Sequence, residues 1–199
     1  VEICEDLFAP IPPSSFLATR GANLIVNLSA SNELVGKPAY RKELVSNASA
    51  RLNCGYLYAS AGMWESSRDL IFGGHLLYYE NGSLIKESSR FNLDTTILET
   101  EIDTQKLDFE RRRNKTFGAT KMKEMTFIKG ENFKETLNLT REYDPYPFVP
   151  KGEEKRIERV QEVLELQAMG LVRRLLAVPK PNMVLGLSGG SDSTLTLLV

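Results

Sequence analysis

The sequence predicts a layered α/β protein in two parts. Three observations carry that expectation. Apolar runs of strand length alternate with a helical pattern through the first half of the chain. Two strand-like runs are joined by Asn81-Gly82, the pair that a type I′ turn prefers. A proline-rich stretch, "DPYPFVPKG", then precedes a long amphipathic segment, a short apolar run and a Ser-Gly-Gly turn. Strands and helices in alternation bury their apolar faces against one another as layers.

Taken in order, "GANLIVNLSAS" holds a buried strand over Asn23 to Leu28 and then a polar loop. Pro38 sits at an expected first helical position, and Leu44, Val45, Ala48 and Leu52 fall on one face at helical spacing. "GYLYASA" is a second strand, "GGHLLYYENGSLIKES" a hairpin, and "TTILETEID" is expected to be another strand. From Phe109 onward, "ERRRNKTFGATKMKEMTFIKGENF" is polar and weakly periodic and reads as a connector. Three prolines in "DPYPFVPKG" mark a rigid linker. Beyond it, Ile157, Val160, Leu164, Ala168, Leu171 and Leu175 step by three and four, with Glu early and Arg late as the helix dipole favours. Pro179 and Pro181 end that helix. "MVLGLS" is expected to be a short buried strand, with a further helix from Asp192.

The 199 residues carry a net charge of −1, so whole-chain electrostatics argue against a nucleic-acid or anionic-membrane partner. No apolar run reaches the roughly 18 residues that span a bilayer, and a cytoplasmic location is expected. Two cysteines, Cys4 and Cys54, do not make a disulfide framework. A single histidine, His75, excludes a multi-histidine metal site; it reads as structural, Cys54 as core, and Glu65 and Asp69 as a solvated loop.

Two stretches carry chemistry. At the far end, Ser188, Gly189, Gly190, Ser191, Asp192 and Ser193 follow an apolar run and open a helix. Glycines let backbone N–H groups approach oxygens, and a helix N-terminus adds positive potential, so the string suits an anion. It lacks the lysine of an ordinary P-loop. At the near end, Cys4 precedes Glu5 and Asp6. The thiolate is the reactive form, and two adjacent carboxylates disfavour it, so a catalytic Cys4 requires cationic help from elsewhere.

The string Ser188 to Ser193 resembles the PP-loop of the ATP pyrophosphatase family, which cleaves ATP between the α and β phosphates. That resemblance implies that these six residues hold the pyrophosphate part of ATP, with Asp192 near a Mg²⁺ ion. "VEICEDLFAPIPPS", "NLSASNELVGKPAYR" and "YLYASAGMWESSRDLIFGGHLLYYENG" resemble the nitrilase superfamily in its glutamine amidohydrolase branch. The resemblance implies that Cys4 is the nucleophile that attacks the glutamine side-chain amide, that Glu5 contacts the substrate, and that Ser31 and Lys37 recognise the glutamine α-amino and α-carboxylate groups. The family's Glu base and oxyanion-stabilising Lys lie upstream of the Cys, so the chain is expected to be the interior of a longer protein.

A nitrilase-type glutaminase joined to a PP-loop domain is similar to the glutamine-dependent NAD⁺ synthetase family. The expected fold is therefore the C-terminal half of a nitrilase-type αββα sandwich over residues 1–130, a linker over 131–150, and the start of a Rossmann-like PP-loop domain over 151–199. The implied ligands are glutamine, ATP with Mg²⁺ and deamido-NAD⁺, without a prosthetic group, in a homo-oligomer. Another glutamine amidotransferase, a plain nitrilase-family amidohydrolase, and a non-catalytic fragment are the alternatives.

Overall fold

The computed structural model describes residues 1–65, 69–119, 126–130 and 141–199. It divides into two compact units, Val1–Thr140 and Arg141–Val199. Part of the connector read from Phe109 onward, and residues 131–140 of the expected linker, lie outside the described residues.

The first unit is built on a five-stranded sheet in the order β1-β2-β3-β4-β5. β1 (Glu2–Ile3), β2 (Leu24–Ser29) and β3 (Gly55–Ser60) run parallel, with Glu2 opposite Asn27 and Ile25 opposite Tyr56. Parallel neighbours need crossovers, and helices supply them: α1 (Pro13–Thr19) between β1 and β2, and α2 (Lys37–Leu52) between β2 and β3. β4 (Leu76–Glu80) and β5 (Ser83–Glu87) complete the sheet antiparallel. Their turn holds Asn81 at φ 47° and Gly82 at φ 84°, the two left-handed residues of a type I′ turn. A Cβ at Gly82 would also come within 2.9 Å of the Ala50 Cβ, so hairpin and α2 meet at a residue without a side chain.

The core lies between the sheet and α2, where Val45, Ala48 and Leu52 are buried with Ile25, Cys54, Tyr56, Tyr58, Leu77 and Tyr79. Burial pushes the Cys54 thiol up to about 12, which keeps it protonated and inert.

Two expectations for this unit are corrected. Residues 95–103 form no strand: their alternation is real, but no strand among the described residues pairs with them, and a strand exists only through its ladder. The supposed connector begins instead inside helix α3 (Thr104–Arg113), capped by the Asp103 side chain, which accepts from the Lys106 N–H at 2.9 Å, and short α4 (Lys115–Gly118) follows. Only Leu107 of α3 is buried, which is why no apolar stripe announced it. Arg111 fastens the helix instead. Its guanidinium donates to the backbone oxygens of Ala22, Leu52 and Asn53 and to Asn23 Oδ1, at 2.6–3.2 Å.

In the second unit, the amphipathic pattern forms α5 (Glu153–Leu175), and α6 runs over Ser191–Leu198. The expected buried strand at 183–188 is not formed; these residues are exposed and lie outside any ladder. An apolar run becomes a strand only beside a partner strand, and the described residues of this unit offer none.

Candidate active site

Cys4 sits where β1 ends and a 3₁₀ turn, Cys4–Phe8, begins. Its φ is 47°, a left-handed conformation that L-residues other than Asn and Asp seldom adopt. Such strain persists only when the surroundings impose it, and here they do. Asp6 Oδ2 accepts the Ile3 N–H at 2.8 Å, and Asn27 Nδ2 donates to the Cys4 carbonyl at 3.4 Å. Glu2, two residues upstream and buried, accepts the Ser14 N–H at the start of α1 and the Tyr56 hydroxyl at 2.6 Å. The outcome is a half-exposed thiol on a rigid strand-to-helix elbow.

The carboxyl ends of β1, β2 and β3 lie side by side on one edge of the sheet, the edge where α/β proteins place their ligands. Cys4 follows β1, and Ser31, nearly buried, follows β2. Lys37 opens α2 after the same loop, with its ammonium donating to Asn32 Oδ1 at 3.0 Å. Glu5 is exposed beside Cys4. Among the described residues, the buried hydroxyls of Ser29, Tyr58 and Ser60 on these strands have no hydrogen-bond partner, so polar capacity is free there. A cavity of about 520 Å³ opens past β3, lined among others by Ser60, Trp64, Glu65, Asn92 and Asp94.

Beside this edge runs a buried charge network that sequence reasoning did not foresee. Fully buried Arg41 donates from Nη1 to Glu33 Oε1 at 2.9 Å and meets His75 Nδ1 at 3.0 Å. His75 Nε2 lies 2.9 Å from Glu87 Oε1, and Lys42 pairs with Glu87 Oε2 at 2.8 Å. Arginine can only donate, so Nδ1 is the acceptor and the ring hydrogen is on Nε2, facing Glu87. A neutral ring satisfies both contacts. Burial first, and then the Arg41 charge, hold the His75 pKa below the usual imidazole value, despite the opposing pull of Glu87. The contact with Glu87 is therefore a hydrogen bond from a neutral ring. One signal for Arg41 was present in the sequence: it lies four residues before Val45, on the buried stripe of α2.

In the second unit, Gly189 has φ 82° and Gly190 caps α6. Ser188 Oγ lies 3.2 Å from Ser193 Oγ and accepts the Gly190 N–H at 3.4 Å, closing the loop upon itself. Asp192 is exposed in the first turn. The first N–H groups of a helix have no intrahelical acceptor and point outward. Among the described residues, no group of three or more His, Cys, Asp or Glu could hold a metal ion.

The first unit is thus a layered α/β domain, a mixed sheet whose three parallel strands end at one carboxyl edge, with a cysteine in left-handed backbone conformation at that edge. The chain is a homologue of the glutamine-dependent NAD(+) synthetases over its whole length. It is 38% identical over 211 residues to that of Mycobacterium tuberculosis (strain H37Rv), a match covering 100% of this chain and 30% of that protein. It is 28% identical over 212 residues to that of Thermotoga maritima, covering 100% of this chain and 33% of that one. The chain thus spans about a third of the length of these relatives. The Caenorhabditis elegans NitFhit protein shares the fold, with a TM-score of 0.50 at 20% identity over 65% of this chain and 32% of that one. No family model matches the chain.

Proposed function

We propose that this chain is part of a ligase, a glutamine-hydrolysing NAD⁺ synthetase, in which residues 1–130 belong to the glutaminase domain and 151–199 open the ATP-binding domain. The single observation that carries the reading is Cys4, held at φ 47° on the elbow at the carboxyl edge of the sheet, in a chain homologous throughout to such synthetases. A nucleophile must present its sulfur past the backbone, and a strand-to-helix elbow does that.

Glutamine enters over the loop after β2, where Ser31 and Lys37 receive its α-amino and α-carboxylate groups, and Glu5 lines the approach. Cys4 Sγ attacks the side-chain amide carbon. Ammonia leaves as a thioester forms, and water then releases glutamate and restores the thiol. The ammonia displaces AMP from adenylated deamido-NAD⁺, giving NAD⁺; pyrophosphate is released earlier, when ATP forms that adenylate.

Ser188 to Ser193 serve the ATP end. Gly189 and Gly190 let the loop close, the hydroxyls of Ser188, Ser191 and Ser193 donate to phosphate oxygens, and the first-turn N–H groups of α6 face the anion. Mg²⁺ is commonly held by one or two carboxylates together with substrate phosphates, so the lone Asp192 carboxylate suits it. The metal would neutralise pyrophosphate charge. The enzyme works in the cytoplasm, as a homo-oligomer.

The test uses the full-length protein carrying this chain. Cys4→Ala abolishes synthesis with glutamine and leaves synthesis with ammonium salts within about twofold, because the nucleophile serves only nitrogen release. Loss of both activities together would make Cys4 a structural residue and end this reading.

A further inference from the structure

Glu33 lies in the loop between β2 and α2, two residues after Ser31 and four before Lys37. Its neighbours Leu34 and Val35 are exposed, yet its own side chain is only 6% accessible. Four contacts hold it. Its N–H donates to the Ile71 carbonyl at 2.7 Å. Oε1 accepts from Arg41 Nη1 at 2.9 Å, and Oε2 accepts from Arg90 Nη1 at 3.3 Å. Gly73 lies against the carboxylate so closely that a Cβ there would sit 2.5 Å from Oε1. Arg41 is itself fixed, over the Tyr58 ring at 5.4 Å and against His75. A surface loop needs no buried carboxylate for solubility. One gripped by two arginines from two different segments fixes where the loop lies.

We infer that Glu33 is a positioning residue for glutamine recognition: pinned by Arg41 and Arg90, it sets the loop that carries Ser31 and Lys37 and so governs affinity for glutamine rather than the rate of the chemical step. This rests on the reading that the loop receives glutamine. The separation of roles follows from the supports. Cys4 follows β1, its carbonyl accepting from Asn27, with the Ile3 N–H beside it bonded to Asp6 and Glu2 bonded to Ser14 and Tyr56, and none of these hydrogen bonds runs to Glu33. A loosened loop weakens ground-state and transition-state binding alike, which raises KM and spares kcat.

The experiment is steady-state kinetics of the full-length protein with Glu33→Gln, which keeps the shape and removes the charge. The expected result is a glutamine KM raised about tenfold or more, kcat within about twofold, and unchanged ammonia-dependent synthesis. Arg90→Met shifts KM the same way by less, and Arg90→Lys restores part of it. A glutamine KM within twofold of wild type for Glu33→Gln overturns the inference. So does a joint fall of kcat and ammonia-dependent synthesis, which would mean that Glu33 merely supports the fold. Cys4→Ala, measured alongside, separates the two failures. If it keeps glutamine-dependent synthesis, the reading of the site is wrong. If it loses that activity while Glu33→Gln keeps its KM, only the role of Glu33 is wrong.

Discussion

His75 is buried between a guanidinium that donates to it and a carboxylate that accepts from it, and it is neutral in the folded chain. Its folded pKa is lowered, chiefly by burial. The unfolded imidazole takes up its proton near pH 6.5, before the folded one does. The contribution of neutral His75 is therefore complete above that pH and is lost as pH falls below it, at up to about 1.4 kcal/mol per pH unit. Glu87 adds to this at lower pH. Burial opposes its charge, but hydrogen bonds from Lys42 and His75 outweigh that, and its net pKa is lowered. Its share is present above the ordinary carboxylate range and vanishes as the folded group protonates. The urea midpoint of the chain is expected to fall between pH 7.5 and 5.5. In His75→Gln, whose amide can still accept from Arg41 and donate to Glu87, that fall is largely gone. Equal pH slopes in the two chains would contradict a neutral buried His75.

At the scale of elements, α3 shows how a helix with a single buried apolar residue is kept in place. Leu107 supplies the only fully covered side chain, so the docking rests on Arg111. Its hydrogen bonds reach two carbonyls at the end of α2, the Ala22 carbonyl and the Asn23 side chain just before β2, and its guanidinium lies 5.1 Å from the Phe117 ring. Removing it leaves several partly covered oxygens unpaired. Arg111→Ala is expected to cost about 3 kcal/mol of unfolding free energy, since hydrogen bonds to charged groups contribute about 1.5–3 kcal/mol each and do not add fully. Arg111→Lys regains a minor share, because an ammonium cannot replace the planar fork. Urea denaturation measures this, and a loss under about 1 kcal/mol would return the docking of α3 to Leu107 and the remaining bonds, such as that from Asn23 Nδ2 to Asp108 Oδ1.

At the scale of the whole molecule, the proposed function gives the chain two sites of different chemistry, one in each unit: the cysteine elbow in Val1–Thr140 and the serine-glycine loop in Arg141–Val199. Under the proposed function they act in series, and substitutions in the second unit report on both. Ser188→Ala and Asp192→Ala in the full-length protein are expected to lower synthesis at least about a hundredfold with glutamine and with ammonia alike, because both routes need the adenylate. Glutamine hydrolysis persists. Pyrophosphate release with deamido-NAD⁺, ATP and ammonia is the measurement, and wild-type rates in both variants would reduce Ser188 to Ser193 to a surface turn.

What the amino-acid order alone settled is what closes within a few residues. The turn at Asn81-Gly82, the covered face of α2 through Val45, Ala48 and Leu52, and the amphipathic α5 all follow from local hydrogen bonds and side-chain period, and all were legible. Of the residues named for the site, Cys4 and Ser188 to Ser193 were marked by their own chemistry, while their particular roles, and Glu5, Ser31 and Lys37 altogether, came from resemblance; for all of them the geometry adds positions rather than proof. Tertiary structure decided the rest. Residues 95–103 and 183–188 carry strand-like patterns and form no strand, because a ladder requires a second chain segment that no local pattern can promise. Arg41, Glu33 and His75 carry no sign in one dimension that they meet one another. They become a buried network because folding brings α2, the β2–α2 loop and the hairpin around the same few charges, and a charge leaves water only where the whole fold supplies its partner.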